Sequence, residues 1–524
     1  MTVGCAGEVP AAACERLRES AGQNPQYFFW SDGPAAEVQL STSASPDGQP
    51  VGTWVYAVAA PFYTLDDEVS SADLRATWAG TSAGPFVQHP LLVTTDTLRV
   101  LTALWGAPAG TAVGTAEPAD LLDQAIQSNG WAILPFDELE PRWKVLRVDG
   151  VSLLDRGVVT EATTEGATTE GATTEGATTE GRPYGLVVPL FLHTNRPDTL
   201  AFLPTAFANR DEERMSVVVM TGVTALTRAT ARTMEERGVT FPAQDIGDWL
   251  RQADLTHVSN EVSFTPDCPV PPPQETMAFC SHERYIELLD AVGVDIVELT
   301  GNHNNDYGRA ANLHTLDLFR QRGWRWFGGG ENLAEATRPL TVTLGPNRLA
   351  FLGCNTFDPA GSIALATEDS PGANPCNPAY FPEAWAQFLA RVTALRDAGW
   401  LPIVTVQAYE TYEYFPTAGQ EEQFRAIAEA GAVVVQGSQA HQPQGFDFHA
   451  GAFIHYGLGN LFFDQMWSLG TRQEFIDRLI FYDGRLLSVE LRTAMLEDYA
   501  RPRPMTAAER QELLEATFAV SADE

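Results

Sequence analysis

The chain has 524 residues, too many for one ordinary domain, and its 44% hydrophobic content suffices to bury more than one core. Its 33 basic and 68 acidic residues give a net charge of -35, and the only lysine is Lys144. That field excludes a nucleic-acid binder or a surface for anionic lipid heads, and a phosphate loop needing a lysine has none beyond Lys144.

The six cysteines fall into close pairs: Cys5/Cys14, Cys268/Cys280 and Cys354/Cys376. The middle pair brackets Pro269 and Pro271 to Pro273, and the last brackets Pro371 and Pro375. Short irregular loops closed by two cysteines predict disulfides, and so a compartment outside the cytosol. Zinc is the rival reading, although no pair has C-x-x-C spacing with a matching second half. Thr2-Val3-Gly4-Cys5 resembles the tail of a lipobox, so a lipid anchor at Cys5 competes with an N-terminal disulfide. No run of about 18 apolar residues predicts a membrane span, and no apolar h-region marks a signal peptide.

Residues 1–205 read as an N-terminal α/β domain. Strands are predicted at Thr53 to Ala60 and Trp131 to Pro135, and helices at Ser71 to Trp78 and Thr97 to Trp105. Ser71-Ala-Asp-Leu-Arg followed by Trp78-Ala-Gly resembles a segment of periplasmic phosphate-type substrate-binding proteins. The resemblance implies a binding-protein-like lobe; a docking domain without a ligand accounts for the same residues. Residues 162–181 are four copies of Ala-Thr-Thr-Glu-Gly, with almost nothing to bury. They read as a flexible insert in a loop of this domain, between the β-like runs Val145 to Gly150 and Tyr184 to Leu192.

Residues 210–500 read as a second domain with regular alternation. Strand-like runs at Met215 to Met220, Leu255 to Ser259, Val294 to Leu299, Leu349 to Leu352, Ile403 to Val406 and Val433 to Val435 are separated by helix-like segments. Between Glu383 and Ala398, Trp385, Phe388, Leu389, Val392 and Leu395 recur at helical spacing, and Gly399 follows as a stop. Further strand-like runs lie at Phe453 to Tyr456, Leu461 to Phe463, Leu479 to Tyr482 and Leu486 to Leu491. This order predicts a layered α/β sandwich. Residues 501–524 read as an acidic C-terminal helix or tail.

The chemistry concentrates in Glu298-Leu-Thr-Gly-Asn-His-Asn-Asn-Asp-Tyr-Gly308, a strand running through a loop into a helix. Ligands of open α/β sheets bind at such strand ends. Asn302, His303 and Asp306 offer a neutral oxygen, an imidazole and a carboxylate, a set for a divalent cation or for a His held by an acid. Helix capping alone would explain Asp306 but not the whole string.

Several strings over residues 215–495 resemble the bacterial capsule-synthesis CapA family, associated with poly-γ-glutamate synthesis and similar in fold to calcineurin-type metallophosphoesterases. They are Asn260-Glu261, Gly301 to Gly308, Phe327-Gly-Gly-Gly-Glu-Asn-Leu-Ala-Glu-Ala336 and Ala452-Phe-Ile-His-Tyr-Gly-Leu-Gly-Asn-Leu-Phe-Phe-Asp464. The resemblance implies an α/β/β/α sandwich behind the smaller first domain. It also exposes losses in the family's metal pattern. Val223 stands where an aspartate follows the first strand, Gln407 near the H-W-G-x-E-Y histidine, and Gln439 at the first histidine of G-x-H-P-H. Glu261, Asn302, His303 and His441 persist.

A two-metal centre needs several anionic or imidazole ligands around ions about 3.5–4 Å apart. The surviving set predicts at most one divalent ion (Mn, Mg or Zn), held by Glu261, Asn302 and His441. Two functions follow as expectations. One is an extracytoplasmic protein acting on an envelope polymer or with its synthesis machinery, with His303 as general acid, Asp306 orienting it, and metal-dependent hydrolysis if it turns over. The other is a non-catalytic polymer- or glycan-binding protein, with Gln407, Glu410 and Gln439 in a polar, aromatic groove. His449 and His455 read as structural.

Overall fold

In the computed structural model the described residues are 1–32, 36–46, 48–158, 184–196, 202–204 and 206–521. The Ala-Thr-Thr-Glu-Gly copies at 162–181 lie outside them. The chain forms two compact units, Met1–Glu212 and Glu213–Glu524. Both are mixed α/β.

The first unit is built on one sheet in the order Phe29–Trp30, Thr2–Cys5, Val38–Ser41, Val187–Thr194, Gly48–Pro61, Trp131–Pro135, Leu91–Thr94 and Val113–Ala116. The long strand Gly48–Pro61 is its backbone, and from Trp54 to Ala60 every side chain is buried. A strand covered on both faces reads as an unbroken apolar run, which is why it was visible in sequence. The helices Ser71–Trp78 and Thr95–Trp105 start where Ser70 and Thr94 accept the N–H of Asp73 and Thr97.

In the second unit, one sheet runs Arg325–Phe327, Ile296–Glu298, Leu255–Asn260, Met215–Thr221, Gln473–Tyr482, Arg485–Glu497 and Arg501–Pro504. Its first four strands are parallel and the last three antiparallel. The second sheet runs Leu340–Leu344, Asn347–Asn355, Leu401–Gln407, Val434–Ser438, Ala452–His455 and Phe446–His449. Residues 501–504, in the segment set apart as a tail, form the edge strand of the first sheet. The helix Ala507–Phe518 that follows buries Leu513 and Leu514.

Each sheet has its own helix-side core. One joins Val219, Val258 and Val297 to Met234, Leu250, Leu289, Leu316 and Phe319. The other joins Leu352, Val404 and Val435 to Phe388, Val392, Phe424 and Ile427. Helix Pro382–Asp397 starts on a proline, whose missing N–H costs nothing there, and buries Phe388 and Val392 one turn apart. Truncating Phe388 to alanine would cost about 3–5 kcal/mol. Buried polar side chains link the two sheets: Asn347 Nδ2 donates to Ser216 Oγ at 2.8 Å, and Gln436 Nε2 to Asp477 Oδ2 at 2.6 Å. His455 is fully buried against Asp477 at 2.6 Å, and His449 meets Glu429 at 3.0 Å.

The six cysteines pair as Cys5–Cys14, Cys268–Cys280 and Cys354–Cys376, with Cα–Cα separations of 6.0, 5.7 and 5.8 Å. No helix among the described residues is long and apolar enough to cross a membrane.

Candidate functional site

The carboxyl ends of parallel strands from both sheets of the second unit bring the candidate residues together. Leu255–Asn260 leads into Glu261, Ile296–Glu298 into Asn302 and His303, Leu401–Gln407 ends on Gln407, and Val434–Ser438 leads into Gln439 and His441. Gly301 lets two of these ends meet, because a Cβ there would stand 2.8 Å from the Cα of Glu261. A parallel bridge between Val262 and His303 continues the contact.

Three predicted residues converge on the side-chain nitrogen of a fourth. Gln407 Nε2 lies 3.2 Å from Glu261 Oε1 and 3.2 Å from Asn302 Oδ1, and also donates to Gln439 Oε1. Ser438 Oγ donates to Gln407 Oε1 at 2.7 Å, which leaves the amide nitrogen facing these three oxygens. An amide has two N–H bonds to share among these three acceptors, so one oxygen is always short of a proton. Glu261 is 2% exposed and its Oε2 has no hydrogen-bond partner among the described residues.

His441 stands beside this cluster without a hydrogen bond to it among the described residues. Its Nδ1 meets Asn460 Oδ1 at 2.9 Å, so Nδ1 is the donor in this pair and Nε2 takes no part in it. Asn460 is in turn held by the carbonyls of His441 and Thr471, at 3.2 and 3.0 Å. Gln439 and His441 have φ of 84° and 52°, a left-handed backbone costing non-glycine residues on the order of 1–3 kcal/mol each. Such strain is kept where side-chain direction matters.

His303 and Asp306 form the expected dyad. His303 Nδ1 meets Asp306 Oδ2 at 2.6 Å, and the same oxygen accepts the N–H of Phe279 at 2.8 Å. The Phe279 ring lies 4.3 Å from the imidazole. Burial works against the imidazolium, but the Asp306 hydrogen bond and the charges of Glu261, Asp306 and Asp358 outweigh it and hold the His303 pKa above its ordinary value. Burial also lifts Asp358, against the pull of Ser362, Asn355 and His303.

Glu410, the last predicted residue, is exposed and reaches the cleft only through Tyr412, whose hydroxyl it accepts. Tyr412 lies near-parallel to His441 at 6.3 Å and edge-on to Trp467 at 5.7 Å. Burial and Glu410 push its hydroxyl pKa up, so it stays a donor.

Tyr412 belongs to the aromatic groove expected around Gln407 and Gln439, whereas Asp358, Asn460, Arg228 and Asp464 are site residues that sequence reasoning left without a role. Asn460 and Asp464 stand inside the quoted string Ala452 to Asp464, and Asp358 follows the strand-ending Asn355 by three positions, so a signal existed for these.

The donor set does not fit a binuclear centre. Among the described residues no three His, Cys, Asp or Glu side chains are grouped to hold a metal. Glu261 supplies one orphaned carboxylate oxygen, Asn302 and Gln439 neutral oxygens, and His441 a ring nitrogen.

The second unit is thus a mixed α/β protein with polar strand-end loops from two sheets meeting at one cleft. Residues 217–465 match the family described as bacterial capsule synthesis protein PGA_cap. A capsule biosynthesis protein CapA of Bacillus anthracis is 24% identical over 57% of this chain and 72% of its own length. A PGA biosynthesis protein CapA of Bacillus subtilis is 25% identical over 36% of this chain and 47% of its own length. The chain therefore spans less than half of that second relative. A phosphate transport receptor from Vibrio cholerae shares 9% identity over 38% of this chain and 92% of its own, with a TM-score of 0.29, too low to define a common fold.

Proposed function

We propose that the protein is an accessory component in the assembly of a capsule or related envelope polymer, acting outside the cytosol. The match of residues 217–465 to the PGA_cap family supports the process, and the three cysteine pairs support the compartment. We read the two sheets, each with helices on one side, as the layered arrangement of metallophosphoesterases. The cleft is a reduced version of that site, with room for at most one divalent ion.

The observation that carries this reading is the convergence of Glu261, Asn302 and Gln439 oxygens on the Gln407 amide. An N–H pair occupies the middle of the oxygen set, where a cation would otherwise draw these donors together. A single ion would be held by Glu261, Asn302 and His441 and would polarise a substrate oxygen. The chain's own contribution is His303. Its Nδ1–H is fixed by Asp306, so Nε2 carries the proton that moves, and the Asp306 hydrogen bond, with the charges of Glu261, Asp306 and Asp358, favours the protonated ring.

The amide at the centre of the cleft also favours a second reading, a polymer-binding protein without turnover. Metal content after dialysis, with phosphodiester and glutamyl-peptide hydrolysis under Mn²⁺, Mg²⁺ or Zn²⁺, separates the two. Turnover abolished by His303→Ala supports the enzyme. Ligand binding without turnover supports the binder, and two tightly held ions per chain overturn both.

A further inference from the structure

Resting on the reading of this cleft as a polymer site, we infer that Trp467 and Tyr412 form a stacking subsite for a neutral saccharide at its rim.

Trp467 is 60% exposed, an unusual state for an indole, and Leu469 beside it is 45% exposed. Neither is loosely hung. Ser468 and Thr471 hydrogen-bond each other's backbone and hydroxyl groups, at 3.1 Å from Thr471 N to Ser468 Oγ. The carbonyl of Thr471 accepts from Asn460, the residue that orients His441. Tyr412 is fixed from the other side, by a φ of 54°, by its bond to Glu410 and by its stack on His441. The two rings meet at 71°. That corner leaves the Trp467 indole open to solvent, with Tyr412 standing between it and His441. A rigid aromatic surface at the rim of a polar cleft matches a sugar ring, with its flat C–H side and its rim of hydroxyls.

Charge selects among polymers. Glu261, Asp306, Asp358 and Glu410 surround the cleft, and the guanidinium of Arg228 is already paired with Asp464. A polyanion would enter against this field, and the net charge of -35 adds to it. A cationic ligand would gain from ring faces gathered in a cage, whereas these two rings stand edge to face.

Titration calorimetry on the full chain tests this with hexasaccharides of β-1,3-linked glucose, β-1,4-linked glucose and β-1,4-linked N-acetylglucosamine, alongside poly-γ-glutamate and spermine. At least one hexasaccharide should bind. Trp467→Ala should weaken it about tenfold or more, while Trp467→Phe stays within about threefold. Because the indole is exposed, the thermal midpoint of Trp467→Ala should match that of the parent. Binding of none of the hexasaccharides, equal affinity in Trp467→Ala, or preferential binding of poly-γ-glutamate or spermine overturns the assignment. Metal content and hydrolysis do not depend on Trp467, so they judge the proposed function separately.

Discussion

Arg228 and Asp464, 236 positions apart, form a two-pronged ion pair in which Nε meets Oδ2 at 3.2 Å and Nη2 meets Oδ1. The guanidinium lies 4.8 Å from the Phe279 ring and 4.9 Å from the Phe463 ring. Phe279 backs His303 at 4.3 Å, and Phe463 backs His441 at 5.4 Å. One ion pair thus braces both histidines. Arg228→Ala leaves a largely buried carboxylate unpaired and should cost about 3 kcal/mol in urea unfolding. It should also shift the His303 and His441 imidazole resonances, which Arg228→Lys should partly restore. Unmoved resonances would remove the bracing role.

The Gln407 amide invites a charge-for-amide exchange. Gln407→Glu replaces an N–H pair with a carboxylate beside Glu261, Asn302 and Gln439, so a divalent cation becomes the natural occupant. Mn²⁺ affinity by calorimetry should rise at least about tenfold over the parent, since oxygen-donor number and charge set such affinities. Thermal stability of the variant should become metal-dependent. No gain would mean the oxygens are too rigid to surround an ion.

His303 should make stability depend on pH. Its folded-state pKa lies above the ordinary 6.5, so protonation favours the folded chain. That contribution is fully present below about pH 6.5 and is lost as pH rises through the folded value. NMR titration should place the His303 midpoint above that of a free imidazole, and Asp306→Asn should move it down. A midpoint unaffected by Asp306→Asn would contradict the hydrogen-bond origin.

Glu474 is fully buried in the strand Gln473–Tyr482, and neither carboxylate oxygen has a hydrogen-bond partner among the described residues. Desolvation raises its pKa well above 4.5. A raised folded-state value means stability falls as pH climbs from the unfolded value toward the folded one. Glu474→Met removes the unpaired group and should stabilise the protein at pH 8 by on the order of 1–3 kcal/mol. At pH 4 the gain should be smaller. Equal gains at both pH values would rule out titration of Glu474 as the cause.

Legibility in sequence followed locality. Apolar runs marked the strand Met215–Thr221 and its parallel neighbours, because strands buried on both faces carry Val and Ile without interruption. The strand Gln473–Tyr482 was visible only from Leu479, since the buried Gln473, Glu474 and Asp477 break its apolar pattern. His303 and Asp306 share one loop, so their dyad could be foreseen from three positions' spacing. Gln407 and Gln439 stood out as amides at strand ends, but their meeting on one nitrogen depends on how the strands align. Arg228 with Asp464, and Tyr412 with Trp467, come from distant segments that no periodicity connects.

Two of the cysteine bridges touch the cleft through adjacent residues. Cys280 follows Phe279, whose N–H and ring hold the His303–Asp306 dyad, and Cys354 precedes Asn355, which donates to Asp358 at 3.0 Å. The sheets owe their cohesion to apolar packing, but the loops that hold the His303–Asp306 dyad and Asp358 are tied by sulfur. Comparing the His303 titration before and after thiol reduction would read that dependence directly. A copy kept among reduced thiols would keep its sheets but lose the ties on these two loops.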